Sequence, residues 1–252
     1  MSENETTTAE ETAVTTLARF EVPSRLEKIE DPNEANHLTF VAEPFENRYG
    51  HTLGNSLRRV LLGSLEGAAI TSVRIAGAQH EFSSLPGVVE DVTEIVLNLK
   101  KVKFKHNGKE PRLLSLRVHK QGVVTAADIA DDTVYQVVNP DQIICTLDQD
   151  TMFECEFQVR VGRGFATGDE NKVPDMPIGV IPIDSIFSPV TRVKYSVQNT
   201  RVGQMTDYDK LILEVWTDGR IAPADAMLQA SAILRHHLDV FVNYDDKPVN
   251  FE

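Results

Sequence analysis

The sequence HTLGNSLRRVLLGSL, residues 51–65, predicts a long helix around which the rest of the chain can be interpreted. Its large apolar side chains recur at the i, i+4, i+7 and i+8 positions of one helical face, which packs against a core. We expect Thr52 to cap the start of this helix and Gly63 or Gly67 to end it. The apolar positions are Leu53, Leu57, Val60, Leu61 and Leu65.

The opposite face of this helix is polar except at its margin. Helical steps of about 100° place Asn55, Ser56, Arg59 and Gly63 there, with Leu62 at the edge. An arginine beside an apolar residue on an outward face has two interpretations. One is a solvated arginine next to a scattered surface leucine, which is common. The other is a contact with a second protein.

A second helix is predicted from Pro223 to Asn243. Proline suits the first turn, and Asp225 suits the positive end of the helix dipole. The apolar stripe is wider than one face, so burial against more than one neighbour is expected and a partner subunit is plausible. We interpret His236 and His237 as surface or packing residues rather than metal ligands. The stripe consists of Met227, Ala230, Ile233, Leu234, Leu238, Val240, Phe241 and Val242.

The remaining sequence indicates mainly strands. FECEFQVRV, residues 153–161, alternates apolar and polar side chains with a period of two, and segments 191–198 and 211–216 do the same. A short helix is predicted from Val88 to Leu99. Helices are thus segregated from a long, mostly β middle, which predicts the α+β class.

The composition excludes several classes of protein. The 252 residues are 41% hydrophobic and carry a formal charge of −13, with no apolar run of membrane-spanning length and no signal peptide. We therefore expect a cytoplasmic protein. The acidic balance argues against a free-standing nucleic-acid binder. Residues 1–17, which are acidic and poor in large apolar side chains, are predicted to be a disordered leader. Cys145 and Cys155 are predicted to be buried thiols.

Motifs for catalysis are weak. The segment GRGFATG, residues 162–168, lacks the Gly-Lys-Ser/Thr ending of a phosphate loop and is predicted to precede no helix, so we interpret it as a hairpin or irregular loop. We predict no catalytic residue and no metal site in this chain. Two alternatives remain open at this stage. One is an independent enzyme that uses the glycine-rich segment, and the other is a nucleic-acid-binding module on the basic residues 100–120, where a solvated strand face is the simpler interpretation.

Several long segments resemble the bacterial RNA polymerase alpha subunits. They include EPFENRYGHTLGNSLRRVLLGSLEGAAITSVRIAGAQHEFSSLPGVVEDVTEIVLNLK (43–100), VTAADI (124–129) and FSPVTRVKYSVQNTRVGQMTDYDKLILEVWTDG (187–219). The similarity extends in order over about residues 18–243. It implies a non-catalytic subunit of a DNA-directed RNA polymerase, a nucleotidyltransferase that transcribes DNA.

The resemblance implies a discontinuous dimerisation domain, residues 18–66 and 185–243, whose two long helices lie on an antiparallel sheet. A mostly β insert domain, residues 67–184, interrupts it, and residues 244–252 form a tail or the start of a linker. Helix packing between two copies would give a homodimer. The resemblance implies dimer contacts at Leu53, Leu57, Leu61, Met227, Leu234, Leu238 and Phe241.

The resemblance also implies that the dimer assembles the core enzyme by binding the beta and beta prime subunits. The positions implied to contact beta are Arg59, Leu62, Arg58, Asn55, His51, His80 and Glu81. Those implied to contact beta prime are Lys100, Ile183, Ser188, Arg192 and Arg201. Omega, sigma factor and DNA would be reached mainly through the complex, which would be cytoplasmic and associated with the nucleoid, and no membrane contact is implied.

Members of this family usually continue into a small C-terminal domain that binds DNA. The present sequence ends at Glu252 in an acidic segment, so direct DNA binding by this chain is not expected. The resemblance implies no cofactor in this chain, with the magnesium and zinc of the complete enzyme on its large subunits.

Overall fold

The structure is a computed structural model that describes residues 15–17, 20–174, 176–242 and 249–251. The helices are α1 (Tyr49–Gly63), α2 (Val92–Leu99), α3 (Gly168–Asn171) and α4 (Pro223–Val242), with a 3₁₀ turn at Ala126–Asp128. The strands are β1 (Thr15–Leu17), β2 (Glu27–Glu30), β3 (His37–Phe45), β4 (Glu66–Ile75), β5 (Phe104–His106), β6 (Arg112–His119), β7 (Gly122–Thr125), β8 (Tyr135–Val137), β9 (Ile143–Leu147), β10 (Met152–Arg163), β11 (Phe165–Ala166), β12 (Val180–Pro182), β13 (Ser185–Ile186), β14 (Val190–Val202), β15 (Met205–Thr217) and β16 (Val249–Phe251).

The predicted α+β class is confirmed. Among the described residues, one larger sheet has the strand order β6-β10-β4-β5-β8, with β12 also paired to β4. A second sheet has the order β14-β15-β3-β2, so strands from the two ends of the chain lie side by side. Small two-stranded pairs complete the architecture: β1 with β16, β7 with β9, and β11 with β13.

The larger sheet and α2 enclose one hydrophobic core. All its buried members lie between Ala68 and Ile183. Strand β10 has the predicted alternation, with Phe157 and Val159 fully buried and the residues between them more exposed. Phe157 packs on Phe104, with 6.2 Å between ring centroids.

The second sheet, α1 and α4 enclose a separate core. Its buried members come from residues 38–65 and 190–230, so the two ends of the chain build it together. Leu61 and Leu65 contribute from α1 and the turn that follows it, and Ala226, Met227 and Ala230 contribute from α4. Only the first half of α4 is covered in this way, because its later turns extend beyond the core.

The start of α1 differs from the prediction. The helix begins at Tyr49, and the preceding Arg48 has a left-handed backbone (φ 75°) with no side-chain cap. Thr52, the predicted cap, instead lies inside the helix. One N–H of the first turn is satisfied by a residue far along the sequence, because Gly50 donates to Asp209 Oδ2 at 3.0 Å. Ser64 caps the other end, and Gly67 lies in β4.

The bounds of the other helices also differ. Helix α2 begins at Val92, since Val88 forms a bridge with Leu147 and the Asp91 carboxylate accepts from the Glu94 N–H at 2.8 Å. Helix α4 begins at Pro223 as predicted and is described to Val242, so its predicted end at Asn243 lies outside the described residues. In the described ranges, neither α4 nor any other helix is long and apolar enough to cross a membrane.

Two further expectations need correction. Thr15–Leu17, predicted to lie in a disordered leader, form β1 in parallel register with β16, while residues 1–14 lie outside the described ranges. The glycine-rich segment 162–168 is predicted to precede no helix, but the short α3 begins at its last residue, Gly168. Thr167 and Glu170 cap that helix reciprocally.

Both cysteines are buried free thiols, as predicted. Burial raises the pKa of Cys145 to about 12 and also raises the pKa of Cys155. Both side chains therefore remain protonated at neutral pH and behave as small apolar groups.

Candidate protein-interaction site

The outer face of α1 presents the residues that the sequence places there. Asn55, Arg59 and Gly63 are exposed, and Leu62 is half-buried against the second core. Arg59 makes no hydrogen bond or ion pair with any described residue. This helix face therefore combines a partly covered leucine with a guanidinium that has no partner among the described residues, and arginine is one of the residue types enriched in interface hot spots.

The neighbouring residues of α1 are held more tightly. Arg58 is exposed, but its Nε donates to the Val193 carbonyl of β14 at 3.3 Å. The exposed His51 ring lies edge-on to Tyr195, with 6.2 Å between centroids. Arg58 and His51 thus attach α1 to the second sheet, whereas Arg59 has no such contact in the part of the chain that the structure describes.

His80 and Glu81 lie in the loop between β4 and α2, and both are exposed. The His80 ring is 3.3 Å from Ser83 Oγ, and the Glu81 carbonyl accepts from the Thr93 hydroxyl at 2.8 Å. The loop is therefore anchored to the start of α2. Phe82, within the segment 80–89 that the resemblance implies to face beta, is 75% exposed and adds an apolar element to this surface.

The positions implied to contact beta prime begin with Lys100 and Ile183. Lys100 Nζ donates to Asp184 Oδ2 at 2.9 Å, and this hydrogen bond lowers the pKa of the Asp184 carboxyl. Ile183 is only 1% exposed and belongs to the first core. Its side chain therefore supports this region from beneath and is not available to a partner.

Ser188, Arg192 and Arg201 follow along the chain. The Ser188 hydroxyl donates to the Leu62 carbonyl at 2.9 Å, so the structure brings this residue against the end of α1. Arg192 stacks its guanidinium 3.6 Å from the centre of the Trp216 ring. Arg201 is exposed near the β14–β15 turn, where its Nε donates to the Gly203 carbonyl at 2.6 Å.

The predicted dimer positions divide into three groups by burial. Leu61 and Met227 lie in the second core of this chain, with 0% and 7% exposed, so neither side chain is available to a second copy. Periodicity identified their apolar face but not which partner covers it. Leu53, Leu57 and Leu234 are half-buried. Leu238 and Phe241 are 52% and 72% exposed near the end of α4.

Arg220 is a structural residue that the sequence interpretation missed. Its side chain is 3% exposed, and it pairs with Asp218 at 2.7 Å. It also donates to the carbonyls of Ala68, Ile186 and Ser188 at 2.9, 3.2 and 2.7 Å. The guanidinium thus connects β4 with the chain segment that leads into the second sheet. No local sequence pattern predicts such a residue.

The sequence interpretation also missed a group near the start of β3. Asp31, Glu34 and His37 place a carboxylate oxygen or ring nitrogen each within 4.8 Å of one another. Their spacing of three residues was visible in the sequence, but the convergence depends on the turn between β2 and β3.

Comparisons with known proteins identify the family of this chain. Residues 73–188 match the family described as "RNA polymerase Rpb3/RpoA insert domain". The DNA-directed RNA polymerase subunit alpha of Symbiobacterium thermophilum is 52% identical over 219 residues, which are 87% of this chain and 70% of that protein. Those of Alkaliphilus oremlandii and Moorella thermoacetica are each 50% identical, over 88% and 87% of this chain and 70% and 72% of theirs. The chain therefore belongs to the family of bacterial DNA-directed RNA polymerase alpha subunits.

Proposed function

We propose that this chain forms a homodimer that assembles a bacterial core RNA polymerase by binding its beta and beta prime subunits. The observation that carries this proposal is the exposed apolar end of α4. Leu234, Leu238, Phe241 and Val242 follow the i, i+4, i+7, i+8 rule, and the last three are 52%, 72% and 66% exposed. A contiguous apolar face of this kind is typical of a protein–protein interface.

A second copy of the chain is the partner that this face fits best. The first half of α4 packs on α1 and the second sheet, so the helix is firmly held where it leaves the core. Two such helix ends related by a twofold axis would bury the same residues from both copies, as isologous interfaces do. The half-buried Leu53 and Leu57 of α1 extend the apolar surface.

We propose residues 18–66 and 185–243 as the dimerisation domain and residues 67–184 as the insert domain. The separation of the two hydrophobic cores along the chain supports these bounds. In this arrangement Arg220 links the two domains, since its donors reach carbonyls of both β4 and the segment around Ser188.

The beta subunit is proposed to bind the outer face of α1 together with the His80–Glu81 loop. A guanidinium offers several fixed donors to carboxylates or carbonyls, and a neighbouring leucine supplies apolar area. Beta prime is proposed to bind around Lys100, Ser188, Arg192 and Arg201. The hydrogen bond from Ser188 to Leu62 supports neighbouring positions for the two proposed surfaces.

Replacing Arg59 with alanine is expected to leave the homodimer intact and to weaken the capture of beta. Arg59 has no partner among the described residues, so its loss does not disturb the fold, whereas truncation of an interface hot spot costs about 2 kcal/mol or more, roughly a 30-fold weaker Kd. The measurement is capture of purified beta by the tagged chain, with sizing of the chain alone.

Arg117→Ala is the matched control for this experiment, because Arg117 is an exposed arginine on the larger sheet that pairs with Glu154. It should bind beta as the unchanged chain does. If Arg59→Ala also captured beta with unchanged affinity, the assignment of α1 to the beta contact would be wrong.

The chain is proposed to contribute no catalytic residue to the nucleotidyltransferase reaction. The magnesium and zinc of the complete enzyme are assigned to the large subunits. Omega and sigma factor join through the complex, and DNA is bound mainly through it, in the cytoplasm and at the nucleoid.

A further inference from the structure

The turn before β3 gathers three side chains that could share a metal ion. His37 Nδ1 lies 3.5 Å from Glu34 Oε2 and 3.8 Å from Asp31 Oδ2. Ligand atoms bound to one tetrahedral zinc at about 2.0–2.2 Å lie roughly 3.3–3.5 Å apart. The observed separations are too long for good hydrogen bonds but close to those of co-ligands.

The imidazole of His37 supplies an independent observation. Its side chain is only 10% exposed, and both ring nitrogens are buried with no hydrogen-bond partner in the described part of the chain. Buried polar atoms are normally satisfied, so an orphaned ring nitrogen that faces two carboxylates indicates a missing ligand. That ring nitrogen is Nδ1.

The surroundings hold the three groups in place. Asp31 Oδ1 accepts from the Asn33 N–H at 2.9 Å, which leaves Oδ2 directed at His37. Glu34 Oε2 accepts from the Trp216 indole N–H at 2.8 Å. The Trp216 ring stacks on His37 at 4.3 Å and 7°. Such outer contacts orient metal ligands.

The second ring nitrogen of His37 also faces a carboxylate. Glu214 Oε2 lies 3.9 Å from Nε2, so a metal bound at Nδ1 would leave the ring N–H directed at a carboxylate, as in carboxylate–histidine–metal triads. Lys194 balances Glu214 at 2.8 Å, whereas Asp31 and Glu34 have no cationic partner other than His37 among the described residues.

We propose that Asp31, Glu34 and His37 form a binding site for a divalent transition metal such as Zn²⁺. One nitrogen and two carboxylate ligands suit zinc and its neighbours, whereas Mg²⁺ and Ca²⁺ prefer oxygen alone. Asp31 and Glu34 are 38% and 55% exposed, so the metal has a route from solvent and a free position for water.

The site also connects with the proposed beta prime surface. His37, Trp216 and Arg192 lie directly opposite one another on β3, β15 and β14, and their side chains form a continuous stack. A metal at His37 would fix the first ring of this stack and, through it, the guanidinium of Arg192. The metal site itself does not depend on the proposed function.

Titration of the metal-free 252-residue chain with Co²⁺ tests the proposal. One equivalent should give the visible absorption of tetrahedral Co²⁺ and quench the fluorescence of the single Trp216, and Zn²⁺, but not Mg²⁺, should reverse both. Asp31→Asn is expected to weaken binding by at least roughly 10-fold, since even outer-shell changes cost about 10–100-fold. His37→Phe, which keeps an aromatic ring against Trp216, should abolish binding.

The matched control is His119→Ala, because His119 is an exposed histidine 3.7 Å from a single carboxylate, that of Asp150. It should bind Co²⁺ like the unchanged chain. The proposal would be overturned if the chain had no saturable Co²⁺ site, or if Asp31→Asn and His37→Phe bound Co²⁺ as tightly as the unchanged chain does. Thiolate charge-transfer bands would also overturn it, since they would assign the ion to cysteine.

Discussion

The double substitution of Leu238 and Phe241 by glutamate is expected to convert the proposed homodimer into a folded monomer. Both side chains are more than half exposed in the isolated chain, so the substitution removes little packing from the chain itself. In a twofold interface it would bury four carboxylates next to apolar groups and next to one another, and like charges so placed cost several kcal/mol. We expect the dimer Kd to rise by more than roughly 100-fold.

Light scattering coupled to size-exclusion chromatography measures this change, and circular dichroism shows whether the chain still folds. The matched control carries the same two glutamates at Val123 and Ile143, which are 46% and 48% exposed on the paired strands β7 and β9. That control should remain a dimer. A Leu238→Glu/Phe241→Glu variant that still elutes as a dimer would exclude α4 as the dimer interface.

Replacing Arg220 with methionine is expected to destabilise the chain by about 3–5 kcal/mol, the typical cost of removing one partner from a buried ion pair. Asp218, 10% exposed, would keep only Lys103, at 3.7 Å, as a cationic partner among the described residues. The carbonyls of Ala68, Ile186 and Ser188 would each lose a donor. Buried acceptors without donors add to the free-energy cost.

Urea unfolding followed by Trp216 fluorescence measures this loss of stability. Arg163→Met is the matched control, because Arg163 pairs with Glu66 at 2.7 Å but is 63% exposed. Surface pairs contribute about 0–1 kcal/mol, so the control should change the free energy of unfolding by no more than that. Equal effects of the two substitutions would mean that Arg220 does not hold β4 to the segment around Ser188.

Local periodicity predicted much of the fold because the pattern of a helix or strand shows which face is buried. The alternation of β10 and the stripe of α1 are examples. The start of α1 could not be found in this way, since its first turn is satisfied by Asp209, a residue 159 positions later. The structural role of Arg220 could not be predicted for the same reason, because its acceptors are carbonyls from distant segments.

The candidate site shows a similar limit. Helical steps place Arg59 outward, and the structure leaves it without a partner in the described ranges. The family resemblance implied Leu61 and Met227 as dimer contacts, but both lie in the core of this chain. The apolar stripe of a helix does not show whether its own chain or a second chain covers it. The Asp31–Glu34–His37 group was missed because its convergence depends on a turn and on Trp216, a residue from another strand.

Co-purification of the tagged chain with the beta and beta prime subunits, followed by light scattering, is the most direct test of the assembly role. We expect a single complex that contains two copies of this chain, one beta and one beta prime, together with a free dimer when the large subunits are omitted. Recovery of the chain as a monomer that binds neither large subunit would contradict the proposed function.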